Sequence, residues 1–244
     1  MTKAYDKIIK AFEGQINLLL VDSDKKYLEF LESTFTSPLF NIKKVSSLQP
    51  ALAAIRKSND FWHCWVVDVA LGEHNEGLTL LKKYRGFPFT IVWSGLGSMT
   101  IASEAIHLGA MNVFDKSRKY IDLFSKEVCK VAALGYILQG KNSKYLPYFL
   151  LLKEAHFKNR ERWANRACVS IRQLERVCAS HSSLTTRYLL SLYYSLYYLL
   201  LRGCDTKEFT KIVRGRRHLS NDFFNPHIEF VDKNLSKFQQ TLAA

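Results

Sequence analysis

Four short apolar runs and one weaker, mixed run, each separated from the next by a stretch with helical spacing, govern what residues 1–139 can fold into. They read as strands over 16–21, 41–45, 61–67, 89–93 and 111–114, with helices over 2–12, 26–35, 49–56, 78–84, 99–108 and 120–138. Near-continuous apolar runs of this length suit strands buried on both faces, and strands alternating with helices build parallel βα units. The expected fold class is an α/β doubly wound five-stranded parallel sheet over 14–139, preceded by an N-terminal helix within 1–13. Ser37-Pro38 stops the second helix, and Gly109 is the expected glycine just past the end of the fifth.

The runs end on chemically pointed residues. Asp22, Asp24, Asp68, Ser94 and Lys116 all fall at carboxyl ends of expected strands, the edge of an open α/β sheet where ligands bind. A carboxylate at that edge is more often chemical than a cap for the next helix, and five such residues on one edge specify a chemistry. Clustered carboxylates form an oxygen site for Mg²⁺. Asp68 can act as a nucleophile toward a phosphoryl group, while Ser94 and the Lys116 ammonium hold phosphate oxygens. A phosphate gained there adds close to two negative charges, enough to re-pack nearby loops.

On these residues, 16–139 resemble the receiver domain of two-component response regulators. Asp22, Asp68, Ser94 and Lys116 match its anchors, the 22-residue step from Ser94 to Lys116 is the family's usual one, and Gly109-Ala110 before the last strand fits as well. The resemblance implies Asp68 as phosphoacceptor, Ser94 as switch hydroxyl and Lys116 as the phosphate-pairing lysine. It further implies Mg²⁺ on Asp22, Asp24, Asp68 and the backbone carbonyl of Ala70, a sensor histidine kinase as partner, and a regulator in place of an enzyme. The chain departs from the pattern at five places. Ser23 stands where the second acid belongs, Gly72 replaces proline, and the loop to Gly77 is one residue longer. Val113 takes the aromatic switch position, and Ser117 follows the lysine. Together these imply an alternative, a degenerate receiver acting without phosphate as a dimerisation or protein-interaction module. Asp22-Ser23-Asp24 also resembles the D-x-D of haloacid-dehalogenase-type phosphatases, but Lys25 and the lack of a later Gly-Asp do not continue that pattern.

Charge separates the two halves. Up to Gln139 there are 17 lysines and arginines against 14 aspartates and glutamates; beyond it, 18 against 8. A basic, arginine-rich half suits phosphate contacts and makes double-stranded DNA the expected partner. The polar stretch from Gly140 to Lys144 marks a linker, placed at 140–147, and 148–244 is expected to be helical. Asn159 and Ser170 are candidate N-caps for short helices over 161–167 and 172–180, a spacing suited to helix-turn-helix geometry. A supporting helix follows over 184–201. Trp163, Ala164, Ala167, Val169, Leu174 and Val177 are expected to point inward, and Ser170, Arg172, Gln173, Arg176 and Ser180 outward. Arg162-Trp163-Ala164, Ser170, Leu174 and Leu184 to Leu189 resemble the AraC/XylS helix-turn-helix. That resemblance implies DNA contacts by Ser170, Arg172, Gln173, Arg176 and Arg187. Here a single unit stands where the family carries two, so a homodimer is expected.

The tyrosines at 188, 193, 194, 197 and 198 are expected in core or at a dimer surface. The basic segment Lys211 to His218 is a candidate backbone grip. The five cysteines form no C-x-x-C pair, which excludes a zinc finger and a disulfide framework. No apolar run is long enough to span a membrane and no signal peptide opens the sequence, so the expected location is the cytoplasm. Beyond Asn221 the pattern yields no assignment.

Overall fold

The computed structural model describes residues 2–57, 61–72, 75–95, 98–140, 144–181, 184–204 and 221–243; the basic segment at 211–218 lies outside them. Strands β1 (Ile16–Val21), β2 (Phe40–Val45), β3 (Cys64–Val67), β4 (Thr90–Ser94) and β5 (Asn112–Asp115) form one parallel sheet in the order β2-β1-β3-β4-β5. This is the doubly wound order of the flavodoxin-like type, whose switch point lies between β1 and β3. Helices α1 (Thr2–Phe12), α2 (Lys25–Thr34), α3 (Leu48–Lys57), α4 (Glu76–Lys83), α5 (Met99–His107) and α6 (Ile121–Ile137) interleave with the strands. Gly109 follows α5 with φ +106°, the backbone conformation that its place past the helix end requires.

The start of the third strand moves furthest from its expected place. β3 begins at Cys64, not at Phe61. Phe61 is half exposed, and beside it the Asn17 amide donates to the His63 ring at Nδ1 (2.8 Å), so a side chain replaces the next backbone acceptor of the ladder.

Alternation along the strands sorts the core onto two faces. Leu18, Leu20, Val66, Ile91 and Trp93 pack with α1, α2 and α6, whereas Leu19, Val21, Trp65 and Val67 pack with α3 and α4. Val92 joins Leu81 and Ala105 in a smaller cluster between α4 and α5.

The second half is helical throughout its described part: α7 (Leu146–Glu154), α8 (Arg160–Arg166), α9 (Ile171–His181), α10 (Thr186–Arg202), α11 (Asn221–Lys233) and α12 (Leu235–Ala243). The last two are helices for which the sequence pattern offered no assignment. In α10 every residue from Leu189 to Leu201 is buried, as suits a helix apolar on all sides and enclosed by others. It lies against α6 and α11, and four of the five tyrosines in the expected tyrosine-rich helix are core residues, Tyr188 being partly exposed. Their hydroxyls make ties. Tyr194 donates to Ala155 O (2.8 Å) and accepts from Phe157 N (2.8 Å), and Tyr188 donates to Asn234 Oδ1 (2.7 Å).

The polar stretch after α6 does not interrupt the packing. One apolar cluster runs from Tyr5 and Ile8 in α1, through the sheet and α6, to Tyr193, Leu201 and Phe238. At the far end of α10, Cys204 pairs with Phe35 in an isolated antiparallel bridge, and the Thr36 amide donates to Gly203 O (3.1 Å).

Candidate functional site

Strand register assembles the site. Val21 lies opposite Val67, and Val67 opposite Val92, so Asp22 and Asp68, one residue beyond, emerge side by side at the carboxyl edge. The Asp68 amide donates to Val21 O (2.8 Å), which extends the ladder to the acid itself. Ser94 lies opposite Asp115, and the Lys116 amide donates to Ser94 O (3.0 Å), which carries the lysine over the same edge.

The Lys116 ammonium joins the two acids. Nζ lies 2.6 Å from Asp22 Oδ2 and 2.7 Å from Asp68 Oδ2, and all three side chains are almost wholly buried. The remaining carboxylate oxygens accept from the backbone: Asp22 Oδ1 from Asp24 N (2.9 Å), Asp68 Oδ1 from Ala70 N (3.0 Å). Burial opposes charge on Asp22 and on Lys116. It pushes Asp22 above the usual carboxylate range, partly offset by Lys116. For Lys116 burial acts downward, but its hydrogen bonds and attraction to Asp22 and Asp68 outweigh it and raise the ammonium above its ordinary value. The lysine is therefore the fixed cation of the site.

Two contributors escaped the sequence reading. Tyr27 lies beside the ammonium, its ring centroid 4.4 Å from Nζ, a cation–π contact from the first turn of α2. Gly77 sits so close beneath Asp68 that a Cβ there would stand 2.1 Å from the Asp68 carbonyl oxygen. The Gly77 signal was present in the sequence as a lone glycine opening a helix; nothing in the pattern marks Tyr27.

Asp24 is not brought into the cluster as a ligand. Its Oδ1 accepts from Lys26 N (2.8 Å), making it the N-cap of α2, and Ser23 is exposed. Among the described residues no group of three or more His, Cys, Asp or Glu side chains is placed to hold a metal ion. The donor set implied for Mg²⁺ thus reduces to Asp22, Asp68 and the Ala70 carbonyl, with an ammonium already on both acids. These residues do not make the three-acid site that the resemblance implies.

In the helical half, Asn159 caps α8 through Arg162 N (3.1 Å). Cys168, with φ +54°, makes the turn, where αL backbone is required and glycine is the easier choice. Ser170 and Gln173 form a reciprocal capping box at the start of α9: Gln173 N donates to Ser170 Oγ (3.2 Å) and Ser170 N to Gln173 Oε1 (2.9 Å). Trp163, Ala164 and Leu174 are buried, with Val169 and Val177 packed on the core. Ser170, Arg172, Gln173, Arg176 and Ser180 are exposed. Arg160 Nη1 ties α8 to α9 through Glu175 (2.6 Å). The Arg187 guanidinium lies 4.4 Å from the centroid of the Phe230 ring of α11.

No family model matches the chain, and no curated protein does either. Solved structures with the same sheet align with its N-terminal half. A CheY-like response regulator receiver domain protein from Methanospirillum hungatei JF-1 is 24% identical, over 47% of this chain and 92% of that one, with a TM-score of 0.41. The receiver domain of the Francisella response regulator 1452 is 23% identical, over 48% and 95%, with a TM-score of 0.41. CheY in the CheX-CheY-BeF3-Mg complex from Borrelia burgdorferi is 22% identical, over 48% and 88%, with a TM-score of 0.42. The chain's own strand order and register establish the fold: a doubly wound five-stranded parallel sheet with an acid–lysine–acid cluster at its carboxyl edge, followed by a helical half.

Proposed function

We propose that this chain is a response regulator, a receiver half governing a DNA-binding helical half, with Asp68 as the phosphoacceptor. The observation that carries the proposal is the Lys116 ammonium between Asp22 and Asp68 at the sheet edge. An Asp68 oxygen attacks the phosphorus of a kinase phosphohistidine, the P–N bond breaks, and the imidazole, already protonated on its other ring nitrogen, leaves as the neutral base with the P–N electron pair. Lys116 then pairs with the phosphoryl oxygens and is drawn off Asp22. Ser94, buried beside it, supplies the switch hydroxyl. Asp22, Asp68 and the Ala70 carbonyl would hold Mg²⁺ only weakly, and the ion would offset phosphoryl charge there. On the output side, Arg172 and Arg176 on the free face of α9 suit DNA phosphates and base edges. Ser170 and Gln173 contribute by holding the start of that helix. The exposed Met99 and Ile106 on α5 and Leu123 on α6 offer apolar surface for a homodimer.

A second reading is favoured by one observation, the use of the Asp24 carboxylate as a helix cap with Ser23 beside it. Without a third acid, the receiver half would serve as a phosphate-independent dimerisation or docking module. Intact mass after incubation with acetyl phosphate separates the two. Gain of one phosphoryl group, absent in Asp68→Ala, supports the regulator. No gain, under conditions that label an ordinary receiver, supports the module. For the output half, salt-dependent binding to duplex DNA should weaken in the double variant Arg172→Ala, Arg176→Ala.

A further inference from the structure

A cavity of about 420 Å³ lies between α10, α11 and the turn that enters α8, within the size range of small-molecule sites. We propose that it binds a small organic carboxylate with an apolar body. The site is unconnected with the acid–lysine cluster and stands whether or not Asp68 is phosphorylated.

The chemistry of the lining is graded from rim to floor. Arg187, Leu190 and Ser191 come from one face of α10, and His227 and Phe230 from α11; Lys158 closes the mouth. The floor holds a polar pair. Ser191 and His227 are 4% and 7% exposed, with Ser191 Oγ 3.2 Å from His227 Nδ1. Burial pushes His227 down to about 4, so the imidazole is neutral and the floor offers hydrogen bonds without charge. Leu190 and Phe230 supply the apolar wall.

Positive charge is confined to the rim. Arg160, also at the mouth, is engaged by Glu161 (3.2 Å) and Glu175 (2.6 Å), and Glu161 is thereby offset. Lys158 and Arg187 have no carboxylate partner among the described residues. The Arg187 guanidinium lies over the Phe230 ring, 4.4 Å from its centroid, a cation–π contact that uses the face of the group, and its N–H donors suit a bidentate carboxylate. A bare inorganic anion would satisfy the rim and leave Leu190 and Phe230 uncovered. A neutral apolar molecule would cover the wall and leave both cations unpaired. An amphiphilic carboxylate does both. Such a ligand would clamp Lys158, one residue before the Asn159 cap of α8, to α10 and α11, which makes the cavity an effector site for the α8–α9 pair.

The test uses the full chain and titration calorimetry with benzoate, phenylacetate and hexanoate as probes, benzyl alcohol as the neutral counterpart and inorganic phosphate as the anion without an apolar body. At least one carboxylate should bind at one site per chain. Benzyl alcohol and phosphate should bind at least about tenfold more weakly, and Arg187→Gln and Lys158→Ala should each weaken the carboxylate by about tenfold. Both side chains are exposed, so these variants should keep the wild-type circular dichroism, and Lys83→Ala on α4, also exposed, should bind as wild type. The proposal is overturned if none of the three carboxylates binds, if benzyl alcohol or phosphate binds as tightly, or if folded Arg187→Gln and Lys158→Ala both bind like wild type.

Discussion

Gly203, at the end of α10, lies against Ser37 so closely that a Cβ on the glycine would stand 2.4 Å from the Ser37 Cα. The contact joins the helical half to the segment between α2 and β2, and Ser37 Oγ adds a long hydrogen bond to Leu199 O (3.4 Å). Gly203→Ala should destabilise the chain by about 1–3 kcal/mol, the usual cost of overpacking, read as a lower urea midpoint. Gly86→Ala, where a Cβ meets nothing within 4 Å, should be near neutral. Equal midpoints for the two variants would contradict the close approach.

Ser23 and Asp24 divide roles that the resemblance assigned to acids. Asp24→Ala should cost about 1 kcal/mol through loss of the α2 cap, and Asp24→Asn, which keeps the cap, much less. Neither should change Mg²⁺ affinity. Ser23→Asp should raise that affinity at least about tenfold by adding an acid ligand, measured by calorimetry. A collapse of Mg²⁺ binding in Asp24→Asn would show Asp24 to be a ligand after all.

Removing the cation of the site should be costly. Lys116→Met leaves Asp22 and Asp68 as neighbouring buried carboxylates, a loss of about 3–5 kcal/mol at pH 7. Because burial already raises the Asp22 pKa, the double variant Lys116→Met, Asp22→Asn should recover a substantial part of it. Urea unfolding of the three proteins checks this, and an additive double variant would disprove the coupling.

Two histidines make stability depend on acid. Burial lowers both His63 and His227 to about 4, whereas in the unfolded chain each titrates near 6.5. The unfolded state therefore takes up protons first. The contribution of each is complete above pH 6.5 and is lost as pH falls toward 4. Between pH 7 and pH 5 the loss should be about 2 kcal/mol for each histidine. For His63 the cause is visible: protonation would remove the Nδ1 lone pair that accepts from Asn17 N. A flat profile of unfolding free energy between pH 7 and pH 5 would refute this.

The parallel sheet was legible because period and punctuation agree. Apolar runs such as Leu18–Val21 and Cys64–Val67 sit between helical stretches, and the residue after each run breaks the pattern with a charge or hydroxyl. Parallel register does the rest, since it carries residues that follow strands to a common edge; Asp22, Asp68, Ser94 and Lys116 could be grouped on that ground alone. The N-caps Asn159 and Ser170 were legible too, because capping is a local interaction between a side chain and the next turn.

Direction and distance were not legible. Whether Asp24 turns inward to a metal site or back onto the Lys26 amide is a matter of one side-chain rotation. Stretching the third strand to Phe61 followed its composition, but a ladder ends where its partner does, and Asn17 had found the His63 ring. The polar run at 140–144 promised a clean division between halves, yet tertiary packing put α10 against α6 and the two halves in one apolar cluster. The sequence by itself determined the five strands, the helices between them and which residues follow each strand at the sheet edge, because these depend on period, caps and strand ends. Only the tertiary structure decided that Lys116 lies between Asp22 and Asp68, that Arg187 lies over the Phe230 ring, and that the cavity floored by Ser191 and His227 exists. Each joins residues tens of positions apart, and no local pattern encodes such a contact.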